Sequence, residues 1–140
     1  PEDHREWRKK DKDWKKKHEK DPGWWFYKHK IGVSDTQWKN LRPPMEEFHT
    51  GAYEICQKIE ELRNEILKQI ESANPDEDVI REKEQRILDL KQKKQRLFTD
   101  YMIDKKQYLS RDQQKKFYGK LRKHKNCDKH GRFLETKRRH

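Results

Sequence analysis

The chain has 140 residues, of which 45% are charged and 29% are hydrophobic. This apolar fraction is too small for a thick globular core. Together with the low content of Gly and Pro, five residues each, it predicts an all-α protein built from long solvated helices. The net charge is +11, and residues 110–140 carry twelve Lys and Arg against three acidic residues, which indicates a nearly neutral helical body with a basic tail rather than a uniformly basic surface.

Residues 1–22 form a charged N-terminal segment that we expect to be mobile or partly helical. Trp7 and Trp14 are seven residues apart and would share one side of a helix, but nothing else on that side is apolar. Pro22 and Gly23 end the segment. A helical hairpin domain is predicted to follow over residues 23–125.

Four consecutive aromatic residues open that domain, and they cannot all face the same way on a regular element. They are Trp24, Trp25, Phe26 and Tyr27. Two interpretations stay open: the rings contact client proteins or another ligand, or they close the open end of the hairpin or a dimer interface.

The stretch Val33-Ser34-Asp35-Thr36-Gln37 predicts a helix start. Ser34 as N-cap can accept from the Gln37 amide while the Gln37 side chain reaches back to the Ser34 amide, which makes a capping box. Val33 and Trp38 are placed to form the hydrophobic staple beside it.

Leu109-Ser110-Arg111-Asp112-Gln113 repeats the pattern near the other end of the chain. Ser110 and Gln113 would form a second capping box, with Phe117 supplying the contact to Leu109 because the staple position holds Gln114. For all four motif residues we predict a structural role, that of fixing helix starts.

Between the boxes, apolar residues recur at alternating spacings of three and four, the pattern of a helix that lies along another helix. The stripe consists of Trp38, Leu41, Met45, Phe48, Ala52, Ile55, Ile59, Leu62 and Ile66. Pro43 and Pro44 interrupt it, so we predict a short helix over 35–42, a kink, and a long helix over 44–72.

Asn74-Pro75 predicts a chain reversal, with Asn74 as cap and Pro75 at the first helical position. An antiparallel helix over 76–107 and a shorter one over 111–125 should follow, with residues 126–140 as a basic tail. One hairpin cannot cover the apolar residues Leu88, Phe98 and Met102 beside its seam. We therefore predict a homodimer, in which one patch is used twice.

The two boxes flanking a long hairpin resemble the periplasmic LTxxQ-motif family, which includes spheroplast protein Y-like chaperones and zinc-resistance-associated and heavy-metal-resistance proteins. Both copies here carry serine where the motif has threonine, and either hydroxyl caps a helix. The resemblance implies a cradle-like dimer of hairpins, a periplasmic location, and ATP-independent binding of unfolding proteins. Some relatives bind zinc, nickel or cobalt.

The candidate metal ligands are His124, Cys127 and His130, which are spaced three residues apart. A regular helix would spread them over about 120°, so they converge on zinc or copper only if the helix ends at Asn126. The alternative is a cationic tail with a stray thiol. Cys56 is expected to be a small buried residue or, in an oxidising compartment, the disulfide partner of Cys127.

The first functional hypothesis is therefore a periplasmic chaperone or stress-response protein that requires no cofactor. The alternative is a heavy-metal-binding sensor or resistance protein of the same fold, and a second alternative is polyanion binding through the basic tail. No nucleic-acid recognition motif organises the charges. We also expect no enzymatic activity, because no nucleophile–base pair or phosphate loop is evident, and no membrane span, because no run approaches ~20 apolar residues.

Overall fold

The computed structural model of the chain describes residues 23–123, and every regular element within that range is helical. Helix α1 (Trp24–Phe26) runs into a π-helical turn (Tyr27–Ile31), and the long helices α2 (Asp35–Glu71) and α3 (Glu77–Lys105) follow. A 3₁₀ turn (Lys106–Tyr108) then leads to helix α4 (Arg111–Lys123). The predicted all-α fold is confirmed for this range, whereas the N-terminal segment and the basic tail lie outside it.

Helices α2 and α3 pack against each other as an antiparallel hairpin. Near the reversal, Lys83 Nζ lies 3.0 Å from Glu65 Oε2, and towards the opposite end Phe48 stacks on Tyr101 with ring centroids 4.7 Å apart. Residue numbers therefore increase along α3 in the direction in which they decrease along α2, so the two helices are antiparallel. We call the end at residues 72–76 the tip and the opposite end, with α1, the π-helical turn and α4, the base.

The core is thin at the tip and thick at the base. Towards the tip, a single seam of Ile55, Ile59, Leu62 and Ile87 is buried. At the base, Trp38 and Phe117 are fully buried within a large mixed cluster of rings and aliphatic side chains. Most of the hydrophobic stabilisation of the fold is therefore concentrated at one end.

The predicted division into two helices at Pro43 and Pro44 is wrong, because α2 is one continuous helix with both prolines inside it. Each proline removes one backbone hydrogen bond. The neighbouring stripe residues Leu41 and Met45 are at most 1% exposed, so their packing at the base holds the backbone helical across the missing bonds.

The reversal is capped by Asp76 rather than by Asn74. Asp76 Oδ1 accepts from the backbone amides of Asp78 and Val79 at 3.1 and 3.3 Å, and the Asp76 amide donates to Gln69 Oε1 at 3.0 Å. The carboxylate at the helix N-terminus also gains from the helix dipole. Helix α3 therefore begins at Glu77, after the cap, and Pro75 precedes it.

Candidate functional site

Both predicted capping boxes are present at the base. Ser34 Oγ accepts from the Gln37 amide at 3.1 Å, and the Ser34 amide donates to Gln37 Oε1 at 2.8 Å. At the start of α4, the corresponding distances between Ser110 and Gln113 are 3.3 and 2.9 Å. Each box satisfies two backbone groups that a helix start leaves unpaired.

The two glutamines also bind each other, and we call this pair the glutamine clasp. Gln37 Nε2 donates to Gln113 Oε1 at 2.6 Å, and Gln113 Nε2 donates to Gln37 Oε1 at 3.1 Å. Each amide sends its other hydrogen to the opposite turn: Gln37 to the carbonyl of Tyr108 at 3.1 Å, and Gln113 to that of Gly32 at 3.0 Å. Both amides use their full donor capacity.

The clasp does not follow from the spacing within either box, because each box is explained by local contacts alone. The signal that was available is the residue type. A capping box works with Glu or Gln at its third position, but only Gln carries the N–H groups that bridge two boxes. Both positions hold Gln, although they are 76 residues apart in the chain.

A second unexpected feature is the buried amine of Lys105, which is 1% exposed. Its Nζ lies 4.0 Å from the ring centroids of Tyr101 and Phe117 and 5.4 Å from that of Tyr27. These rings come from α3, α4 and the π-helical turn, so one cation joins three elements through cation–π contacts. Lys105 follows Tyr101 by one helical turn, which places it on the stripe that faces α2.

The aromatic run divides between the core and the surface. Phe26 is 5% exposed and Tyr27 is fully buried, and both contact Phe117, with ring centroids about 6 Å apart. They present almost no surface to a client in this structure. Trp24 and Trp25 are only half-buried, so of the four predicted contact residues these two remain accessible.

Large apolar side chains are exposed elsewhere along the hairpin, and we call them the exposed apolar set. They are Tyr53, Leu67, Ile70, Leu88 and Ile103, each 45–65% exposed. Of the residues predicted to be left beside the seam, Leu88 is exposed and Phe98 is half-buried, but Met102 is buried in the base. Of the three predicted residues only Leu88 therefore belongs to the exposed apolar set, and its other four members were not predicted.

Within residues 23–123 no group of three or more His, Cys, Asp or Glu side chains is arranged to hold a metal ion. The predicted ligands His124, Cys127 and His130 lie outside this range. Cys56 is buried, and Lys94 Nζ lies 3.1 Å from its sulfur. In the same range, none of the helices combines the length and apolarity that a bilayer span requires.

Comparison with known proteins adds no assignment: no family model matches the chain, and no curated protein or solved structure is significantly similar to it.

Proposed function

We propose that the chain is an ATP-independent chaperone or stress-response protein of the bacterial periplasm, which binds unfolded proteins on the surface of its hairpin. The observation that carries the proposal is the exposed apolar set, because its five large side chains stand among charged residues on an otherwise hydrophilic rod. The resemblance of its two serine–glutamine boxes to the LTxxQ motif supports the location.

Binding of this kind would be weak at each position. Full burial of one leucine contributes about 1.5–3 kcal/mol, whereas millimolar affinity already requires about 4 kcal/mol. One exposed residue therefore holds a client only briefly, and several must act together. The surrounding charges accelerate encounter with oppositely charged segments and keep the free protein soluble.

A cradle-like homodimer would meet this requirement. Two copies related by a twofold axis present the exposed apolar set twice on one particle, and linked sites bind more tightly than separate ones. The half-buried rings of Trp24 and Trp25 supply further apolar area at the base.

The experiment is suppression of aggregation of a thermally unfolding test enzyme, without nucleotide. We expect suppression at an equimolar ratio. The double variant Leu67→Ser/Leu88→Ser should require several-fold more protein for the same effect, because it removes two exposed apolar contacts. Asn64→Ser/Gln92→Ser is the matched control, since both residues are exposed and polar, and it should behave like the original chain.

Absence of suppression at several-fold excess rejects the proposal. Equal activity of the two serine variants rejects the exposed apolar set as the contact surface. Urea denaturation of both variants serves as the folding control, because exposed positions should change the free energy of unfolding by no more than about 0.5 kcal/mol each.

The metal hypothesis stays a prediction for His124, Cys127 and His130. Its test is calorimetric titration of the reduced protein with zinc, nickel, cobalt and copper. Binding weaker than millimolar for all four metals would reject it.

A further inference from the structure

Helix α4 has one apolar side and one cationic side. Phe117 is fully buried on the inner side, with Tyr118 and Leu121 half-buried beside it. The outer side carries five exposed cations, which we call the α4 cationic face: Arg111, Lys115, Lys116, Arg122 and Lys123. The single acidic residue of α4 is Asp112.

The cations of this face stand out because few carboxylates accompany them: α4 has six Lys and Arg against one acidic residue, whereas several cations elsewhere in the described range have carboxylate partners. Lys28 pairs with Asp35, Arg81 with Glu84, and Lys83 with Glu65. No carboxylate within the described range pairs with any member of the α4 cationic face. Five unpaired charges on one helix create a local positive potential that attracts an extended anionic partner.

The half-buried tryptophans lie at the same end of the molecule. Phe26 of α1 and Tyr27 of the π-helical turn both contact Phe117 of α4. Trp24 and Trp25 directly precede these residues. The exposed side chains of His29 and Lys30 accompany the indoles.

We propose that this end of the hairpin docks on the surface of an anionic lipid bilayer, with the α4 cationic face against the phosphate headgroups and Trp24 and Trp25 at the interface. Clustered Lys and Arg bind anionic headgroups, and indole rings favour the boundary between headgroups and acyl chains. The protein lies on the membrane without crossing it. This inference does not rest on the chaperone proposal.

The geometry favours lipid over single-stranded nucleic acid. Stacking of nucleobases needs a ring face that no other side chain occupies, but Lys30 Nζ lies over the Trp25 ring, 5.4 Å from its centroid, and the His29 ring packs against it at 5.4 Å. Trp24 meets His29 edge-on at 5.7 Å. A headgroup layer requires only a broad array of cations with indoles at its edge.

The test measures co-sedimentation of the full chain with vesicles of phosphatidylglycerol mixed with phosphatidylcholine, and with vesicles of phosphatidylcholine alone. One Lys or Arg near an anionic surface changes the partition coefficient about fivefold. The variant Lys115→Gln/Lys116→Gln/Lys123→Gln should therefore partition about a hundredfold less onto the anionic vesicles. Binding should also weaken as salt is raised.

The matched control is Lys58→Gln/Lys68→Gln/Lys93→Gln, which removes the same charge from exposed positions on α2 and α3. It should lose less than about tenfold. A second measurement on the unaltered chain is tryptophan emission, which should shift to the blue with the anionic vesicles and not with phosphatidylcholine alone.

Three results would overturn the inference. Equal losses in the two lysine variants would mean that net charge alone drives binding. No sedimentation with anionic vesicles at low salt would exclude the lipid surface. Binding to single-stranded RNA at a salt concentration where anionic vesicles are not bound would assign the α4 cationic face to nucleic acid instead.

Discussion

Gln37 and Gln113 each use one carboxamide for two tasks. The oxygen completes the capping box of its own helix, and the nitrogen donates to the partner glutamine and to a backbone carbonyl of the opposite turn. A carboxylate at either position would still accept from the capped amide, but it has no hydrogen to donate. The capping box therefore explains why a residue with a side-chain acceptor stands at each position. The contact between the two helix starts explains why that residue is Gln.

The variant Gln113→Glu separates the two tasks. It keeps an acceptor for the Ser110 amide and loses both Nε2 donors, so we expect the free energy of unfolding to fall by about 1–3 kcal/mol, measured by urea denaturation. Gln92→Glu adds the same charge at an exposed position of α3 and should cost less than about 0.5 kcal/mol. Equal losses in the two variants would mean that the clasp adds no stability.

Tyr118 predicts a pH dependence at the alkaline end. Its hydroxyl donates to the Met102 carbonyl at 2.6 Å, and burial raises its pKa above the usual value of 10.0. The folded protein therefore holds this proton more tightly than the unfolded chain does. Stability from this group is complete below pH 10 and is lost as the pH rises through the folded-state pKa.

Tyr118→Phe should cost about 1 kcal/mol at neutral pH, because it removes a hydrogen bond, and should lose less further stability than the original chain above pH 10. Urea midpoints measured at neutral and alkaline pH test both effects. The exposed Tyr53 provides the control variant Tyr53→Phe. Parallel curves for the original chain and Tyr118→Phe above pH 10 would contradict the assignment.

At the scale of single residues, the sequence predicts contacts between residues that are close together in the chain. Ser34 and Gln37 are three residues apart, so their capping box follows from spacing. The pairing of Gln37 with Gln113 and the burial of Lys105 depend on contacts between elements, and local chemistry even suggests the opposite for a lysine, which normally stays in water. Three rings from three elements offset that preference, and no local pattern encodes their meeting.

At the scale of elements, the apolar stripe predicted the buried side of α2 correctly from Trp38 to Leu62, because burial of regularly spaced apolar residues dominates helix packing. Boundaries were predicted less well. Asn74 and Asp76 are both good caps, and the contact of the Asp76 amide with Gln69 decides between them. At Pro43, packing at the base outweighs the low helix propensity of proline.

The continuity of α2 gives a prediction for Pro43, which is exposed. Pro43→Ala restores a backbone N–H and removes a residue that disfavours helix interiors by about 3 kcal/mol; the added freedom of the unfolded chain offsets about 0.4–1 kcal/mol. We expect a net gain of about 2–2.6 kcal/mol in the free energy of unfolding. Glu47→Ala in the same helix is the control, and a lower urea midpoint for Pro43→Ala would contradict the prediction.

At the scale of the whole molecule, the exposed apolar set leads us to expect a homodimer. Light scattering at micromolar concentration should report twice the mass of the chain, since the proposed mechanism needs two copies of the exposed apolar set on one particle. Circular dichroism should show that the same sample is highly helical. A well-folded single copy at this concentration would remove the dimer from the proposed mechanism.

The sequence alone predicts where the positive charges lie along the chain, but it does not predict that they form one surface. Twelve Lys and Arg in residues 110–140 predict a basic end. Only the packing of Phe117 into the base shows that the cations of α4 share one outer face. The surface thus depends on the fold, even where the charges are evident in the sequence.

The uneven distribution of buried contacts also determines which parts of the hairpin open most readily. Amide hydrogens exchange fastest where few buried contacts must break, so the turns of α2 and α3 next to residues 72–76 should fray on their own while the clasped end opens only when the entire chain unfolds. Leu67 and Ile70 occupy the fraying part. In the proposed chaperone mechanism, these two side chains would contact an unfolded client from the stretch of backbone that opens most readily, while the base stays folded.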